Sequence, residues 1–165
     1  MRGGRVLMAA GFLAAGLFVA LAGGQAQDNK AQPPKSAAPP GQPGAHDKMF
    51  EHCAKACSDC ALECERCGKH CQELVAAGHK EHQTTVGTCC DCAAICLAAM
   101  KSAATKGPFA GIICDACAKA CDGCAAACDK HAAHDEMMAK CAKVCKECAK
   151  ACREMVAHAG GAHPK

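Results

Sequence analysis

The chain from residue 46 onward shows apolar and polar positions that recur with the period of an α-helix. No segment alternates with a period of two, so no β-strand is predicted. Breaks in the pattern fall at glycine, proline or short polar stretches, which are typical of helix ends. Four amphipathic helices with short connections predict an all-α fold, an antiparallel up-down four-helix bundle. The first predicted helix begins with Asp47 as N-cap and ends just before Gly78, and the second covers 82–105. The third covers 109–132, and the fourth begins with Asp135 as N-cap and ends at about 159.

The apolar face of every predicted helix consists of cysteine. In the first helix, CAKACSDCALECERCGKHC places cysteines at intervals of 4, 3, 4, 3 and 4 residues, so all six fall on one face. Polar residues, Glu63 among them, fill the other faces, and Cys90 lies one position off the cysteine face of the second helix. The four strips predict a bundle with a cysteine-lined core, formed by Cys53, Cys57, Cys60, Cys64, Cys67, Cys71, Cys89, Cys92, Cys96, Cys114, Cys117, Cys121, Cys124, Cys128, Cys141, Cys145, Cys148 and Cys152.

The first 45 residues are predicted to lie outside this bundle. Residues 1–26 combine Arg2 and Arg5, an apolar run and small residues before a cut after Ala26, which indicates a signal peptide more than a membrane anchor. Residues 27–45 contain five prolines and no large apolar residue, which predicts a disordered linker. We therefore expect an exported protein, periplasmic or extracellular, with the bundle over 46–160 and no stable membrane insertion after cleavage.

Composition narrows the function. The chain has 19 cysteines and four phenylalanines, with no tryptophan or tyrosine, so cysteine, alanine and methionine must fill much of the core. The net charge of +3 is small and scattered, so no nucleic-acid partner is expected. No nucleophile–base pair and no glycine-rich phosphate loop stands out, so an enzyme is not expected.

Four explanations of the cysteine strips fit the pattern poorly. Disulfides within one helix are disfavoured, because Cβ atoms four residues apart are about 5–6 Å from each other and a disulfide needs about 3.5–4.5 Å. Cross-helix disulfides stapling a structural module remain open, although 19 cysteines cannot all pair. Use of cysteine only as a small hydrophobe would leave many oxidisable thiols without a task. Stacked zinc–tetrathiolate sites would accumulate negative charge in the core, and iron–sulfur clusters for electron transfer usually use cysteines in loops.

Cu(I) fits the pattern better. It is a soft ion that prefers thiolate and thioether sulfur. Two sulfurs on either side of one ion lie about 4.5 Å apart at bond lengths near 2.3 Å, which a pair spaced by four residues can reach. If each thiolate bridges two ions, the numbers of copper ions and thiolates match and the core is neutral. The strips therefore predict a ladder of many Cu(I) ions, roughly 15 to 20 per chain.

The sequence resembles the bacterial four-helix-bundle copper storage proteins, whose helices carry inward-pointing Cys-x₃-Cys pairs. The resemblance covers about residues 46–158 and rests on Cys53/Cys57, Cys60/Cys64, Cys67/Cys71, Cys92/Cys96, Cys117/Cys121, Cys124/Cys128, Cys141/Cys145 and Cys148/Cys152. It implies a homotetramer of bundles that stores many Cu(I) ions without catalysis. The chain lacks the adjacent arginine pair of a twin-arginine signal, which the exported kind of this family would be expected to carry.

Other soft ligands extend the strips at their ends. Met49 and His46 precede Cys53, Met100 follows Cys96 and Met155 follows Cys152, so they meet at one end of an antiparallel bundle. Each methionine is either a copper ligand or a cap on the core. The resemblance favours this end as the copper entrance. Separately, Cys90 of the second helix is a further possible metal ligand. The opposite end collects histidines, together with Leu74 and Met137.

Overall fold

The computed structural model describes residues 44–160, which form four antiparallel α-helices around one core. Each helix packs against two neighbours, so α1 lies diagonally across the core from α3, and α2 from α4. This arrangement confirms the predicted four-helix bundle. The helices are α1 (Ala45–Ala76), α2 (Gln83–Ala104), α3 (Ala110–Asp129) and α4 (Glu136–Gly160), and a 3₁₀ turn, Lys80–His82, lies between α1 and α2.

The predictions for the N-terminal part of the chain remain predictions. The signal peptide over 1–26 and nearly all of the linker over 27–45 lie outside the described residues.

The start of α1 differs from the prediction. Gly44 is the N-cap, and Asp47 is a residue of the first helical turn, so the assignment of Asp47 as N-cap was wrong. Asp47 pairs instead with Lys106 from the turn between α2 and α3. A hydrogen bond from Lys106 lowers the pKa of the Asp47 carboxyl. A carboxylate in the first turn also interacts favourably with the helix dipole. Asp47 thus joins the start of α1 to the α2–α3 turn at the same end of the bundle, which spacing along one helix could not reveal.

The first two helices end in the same hydrogen-bonded motif. After α1, the N–H of Gly78 donates to the carbonyl of Val75 and the N–H of His79 donates to that of Leu74, both at 3.0 Å. This is a Schellman cap, with Gly78 in the left-handed region at φ 105°. After α2, the left-handed residue is Lys106, at φ 51°, and not the glycine that follows it.

The connection between α3 and α4 is longer than predicted. Helix α3 ends at Asp129, three residues before the predicted end at 132, and the following backbone makes tight turns through His131 and His134. Asp135 is the N-cap of α4 as predicted, because its Oδ1 accepts the N–H of Met138 at 3.0 Å. Its Oδ2 lies 2.6 Å from Nε2 of His70, which ties the start of α4 to α1.

Small side chains let the helices approach closely. The buried core is almost entirely cysteine and alanine, with a few larger residues at its two ends. A Cβ placed on Gly68 of α1 would lie 3.3 Å from Cβ of Cys89 on α2, so a larger residue there would press the two helices apart by a few tenths of an ångström. Sulfurs even meet across the diagonal, as Cys53 of α1 and Cys114 of α3 do at 3.7 Å. The core is therefore narrow and lined with sulfur throughout.

The sequence pattern predicted Glu63 on the solvent-exposed polar face of the first helix, but its side chain is buried. It is 4% exposed, and its Oε2 lies 2.7 Å from Nζ of Lys140 on α4. Its Oε1 is buried with no hydrogen-bond partner among the described residues. An ion pair between neighbouring helices thus replaces the solvated carboxylate that the sequence pattern indicated.

Among the described residues, one helical segment is long and apolar enough to span a bilayer by length and composition. It is Lys80–Ala104, with a mean hydropathy of 1.3. Its cysteine face lies inside the bundle, so its apolar character comes partly from core residues.

Candidate metal centre

All 19 cysteines are free thiols, and all but Cys90 are buried. Neighbouring sulfurs lie between 3.5 Å, for Cys57 and Cys152, and 4.0 Å, for Cys57 and Cys117. A disulfide bond is about 2.05 Å long, so the thiols touch without being bonded. The stapled-module alternative therefore has no support in this structure. The exposure of Cys90 agrees with its position off the cysteine face.

The sulfurs form one continuous path along the bundle axis. Each step joins two sulfurs no more than 4.0 Å apart, and most steps cross from one helix to another. The path runs through Cys114, Cys53, Cys152, Cys57, Cys117, Cys96, Cys121, Cys60, Cys64, Cys124, Cys89, Cys128 and Cys67. The remaining buried thiols flank it: Cys71, Cys92, Cys141, Cys145 and Cys148.

Groups of four thiols converge on common points along this path. The sulfurs of Cys67, Cys89, Cys128 and Cys141 come from all four helices and lie within 4.8 Å of one another. A second group, nearer the other end, takes one thiol from α1, one from α3 and two from α4: Cys57, Cys117, Cys148 and Cys152. No single helix supplies such a group, so the candidate metal sites exist only in the assembled bundle.

The sulfur spacing suits Cu(I) with little rearrangement. Sulfurs at the corners of a three-coordinate Cu(I) site lie about 4.0 Å apart if the metal–sulfur bond is near 2.3 Å. Cys60 and Cys64, four residues apart, are 3.9 Å from each other, as are Cys92 and Cys96. Two-coordinate binding needs about 4.5 Å, so those pairs would open by roughly half an ångström. The geometry therefore accommodates both coordination numbers of this ion.

Burial opposes ionisation of the core thiols before metal binds. Burial raises the pKa of the Cys71 thiol to about 12, from an ordinary value of 9.0. For Cys89 the hydrogen bond with Cys124 is the largest cause, and contacts with further thiols and burial add to it, so its pKa is also raised. A soft metal ion that binds these sulfurs must displace their protons. The pKa of the equally buried Cys60 is lowered instead, chiefly by its hydrogen bond with Cys121, so the core thiols do not all ionise alike.

The end of the bundle formed by the start of α1 carries the predicted methionines. Met155 is fully buried, and Met49 and Met100 are partly buried against the core. His46 is exposed, with its ring centroid 4.8 Å from that of Phe50. Phe50 is buried three residues before Cys53 and was missed by the sequence reasoning, although its helical spacing was a usable signal.

The opposite end also holds a buried methionine. It is Met138, which is fully buried, whereas Met137 is only partly buried. Both residues are spaced for the α4 strip, so spacing alone could not choose between them. The rings of His82 and His131 lie 4.3 Å apart beside this end. Burial, followed by the charge of His131, lowers the pKa of His82.

Comparison with known proteins gives one family and several related structures. Residues 46–157 match the family described as copper storage protein. The apo form of copper storage protein 3 from Bacillus subtilis is 35% identical, with a TM-score of 0.55, covering 64% of this chain and 97% of that one. The Cu(I)-bound copper storage protein BsCsp3 is also 35% identical, with a TM-score of 0.60, covering 66% and 98%.

A cytosolic copper storage protein from Streptomyces lividans, with five coppers, is 26% identical, with a TM-score of 0.64, covering 69% of this chain and 97% of that one. The comparison with curated proteins found no similar sequence. The family match spans most of the chain and coincides with the part that forms the cysteine-lined bundle. The chain belongs to the copper storage protein family.

Proposed function

We propose that the eighteen buried thiols of this chain, as thiolates, hold Cu(I) ions at about one ion per sulfur. The observation that carries this proposal is the unbroken path of sulfurs no more than 4.0 Å apart along the bundle axis. Because successive sulfurs are close enough to share ions, each thiolate can bridge two Cu(I) centres. One bridging thiolate per ion leaves no net charge, which a buried core requires.

As a member of the copper storage protein family, the chain is a metal-storage protein and not an enzyme. It stores copper on core thiolates, in clusters that hold several Cu(I) ions. Every proposed ligand sulfur is buried, which protects both the soft ion and the thiolate from oxidants. The assignment of individual ligands to individual ions is part of the proposal.

Export is the second part of the proposal. Arg2 and Arg5, the apolar run that follows and the small residues before Gln27 support a cleaved signal peptide. The mature protein would then store copper in the periplasm or outside the cell. Mass spectrometry of the protein recovered from the native host should find Gln27 as the first residue. A protein that still carries residues 1–26 would contradict export with removal of the signal peptide.

A homotetramer is the third part. Two large apolar side chains on the outer surface support association, since Leu62 of α1 is 53% exposed and Leu97 of α2 is 49% exposed. The main support is the resemblance to the bacterial copper storage proteins, which implies a homotetramer. Light scattering of the reduced, copper-free protein should give four times the mass of the mature chain, and a monomer mass would reject this part.

We also place the copper entrance at the end that contains Met49. Thioether sulfur binds Cu(I) and loses no proton in doing so, which suits a site that must pass the ion inward. Met49 is partly buried one turn before Cys53, whose sulfur is 3.7 Å from Cys114 and 3.8 Å from Cys152. An ion held by Met49 would therefore be one step from the first group of core thiols.

Removal of a core thiol should shorten the ladder, whereas removal of the exposed thiol should not. The sulfur of Cys60 lies 3.7 Å from Cys145, 3.8 Å from Cys121 and 3.9 Å from Cys64. Cys60→Ala should lower the Cu(I) capacity by about one or two ions, because one bridging sulfur serves two metals. Cys90→Ala is the matched control and should keep full capacity. Anaerobic titration against a chromophoric Cu(I) chelator measures both, and equal losses would contradict the assignment.

Met49→Ala should slow copper loading severalfold and leave the final capacity unchanged, because it removes a relay ligand and no storage site. Met137→Ala, a partly buried methionine at the opposite end, is the control and should load at the normal rate. Stopped-flow transfer of Cu(I) from a chelator gives the rates. Equal rates for the two variants would place the entrance elsewhere.

The copper-free protein should lose stability as pH rises above about 9, and the loaded protein should not. The pKa of Cys71 is raised to about 12 in the fold from an ordinary 9.0. When the pKa of a thiol is higher in the folded protein than in the unfolded chain, its protonated form adds to the free energy of unfolding. This contribution is complete at pH values below the unfolded-state pKa and is lost as the pH rises toward the folded-state pKa. In the loaded form the thiolates are already deprotonated. Anaerobic thermal unfolding at pH 8 to 11 tests this, and parallel pH profiles for both forms would refute it.

A further inference from the structure

A second group of metal-ligating atoms lies outside the cysteine core, at the corner between α1 and α2. It comprises His79, Glu81 and His82, which are in or beside the 3₁₀ turn. Oε1 of Glu81 lies 3.4 Å from Nδ1 of His79 and 3.8 Å from Nε2 of His82. The two ring centroids are 6.3 Å apart. Two imidazole nitrogens and one carboxylate oxygen thus face one small volume.

The backbone holds these side chains in place before any ligand arrives. The Schellman cap fixes His79 through its N–H bond to the carbonyl of Leu74 at 3.0 Å. The 3₁₀ turn then brings the N–H of His82 to within 3.3 Å of the carbonyl of His79. The ring of His82 also packs against that of His131 at 4.3 Å. Both histidines are therefore presented by an ordered turn.

The hydrogen bonding of His82 is incomplete, although its side chain is only 12% exposed. Its Nδ1 is buried with no hydrogen-bond partner among the described residues. Its Nε2 is 3.8 Å from the Glu81 carboxylate, which is too long for a hydrogen bond. The nitrogen that faces Glu81, and that a metal ion held there would bind, is therefore Nε2 and not the buried Nδ1.

The distances from the Glu81 oxygen to the two imidazole nitrogens fit a transition-metal ion. Ligands about 2.0–2.2 Å from an ion lie roughly 3 to 4 Å from each other, and the two measured separations from Oε1 fall in that range. We propose that His79, Glu81 and His82 form a binding site for one divalent copper ion per chain. The remaining coordination positions are taken by water.

The ligand types distinguish this site from the core. Imidazole and carboxylate favour Cu(II) over Cu(I), whereas thiolate and thioether favour Cu(I). Among divalent ions of the first transition row, Cu(II) also binds nitrogen and oxygen sites most tightly. The proposal involves binding alone, with no electron transfer, and it does not depend on where Cu(I) enters the bundle.

Electron paramagnetic resonance tests the site on the Cys90→Ala protein already loaded with Cu(I). In this protein no exposed thiol remains to reduce Cu(II), and the bound Cu(I) ions, with their full d shells, give no signal. One equivalent of Cu(II) added without oxygen should give one tetragonal signal per chain with nitrogen hyperfine structure. His79→Ala and Glu81→Gln change exposed side chains and should each weaken binding at least about tenfold, as loss of a metal ligand or its partner does.

The matched controls are exposed histidines outside the corner, His52→Ala on α1 and His134→Ala before α4, which should keep the wild-type signal and affinity. Calorimetric titration with Cu(II) gives the dissociation constants. Wild-type affinity in both His79→Ala and Glu81→Gln would overturn the proposal. So would a signal without nitrogen hyperfine structure, because it would mean adventitious binding to surface carboxylates only.

Discussion

Contact between thiol sulfurs across the centre of the bundle is the interaction on which the rest of the structure depends. Cysteine is small enough for helices on the diagonal to meet, as Cys60 of α1 and Cys121 of α3 do at 3.8 Å. Leucine at those positions would push the helices apart, and the sulfurs of successive layers would no longer touch. The alanines and Gly68 beside the strips serve the same end, since they let neighbouring helices approach until their thiols face one another.

A core of this kind has to remain uncharged in two chemical states. Without metal, burial raises the cost of ionising the thiols, as the raised pKa of Cys71 shows. With Cu(I), one positive ion for each thiolate preserves neutrality. Zinc would leave surplus negative charge in the same volume. Charge balance, more than the number of sulfurs, therefore explains why many monovalent soft ions suit this interior.

The two ends of the bundle differ in chemistry although both are closed by methionine. At the α1 start, Met155 is fully buried, and Met49 and Met100 are partly buried against the core. At the other end Met138 is fully buried, and the corner between α1 and α2 presents histidine and carboxylate. This difference supports the proposal that copper enters at the Met49 end.

The sequence by itself determined the helices, their cysteine faces and the metal chemistry, because a 3- and 4-residue spacing fixes which side chains share a face. It also separated Cys90 from the strip.

Choices that depend on a neighbouring helix were decided only by the tertiary structure. Lys140 of α4 draws Glu63 into a buried ion pair, and Lys106 draws Asp47 away from a capping role. The packing of α4 buries Met138 in preference to Met137, and the thiol groups that gather around one point combine residues from three or four helices. Helical periodicity specifies a face but not its partner, so these contacts appear only once the bundle is assembled.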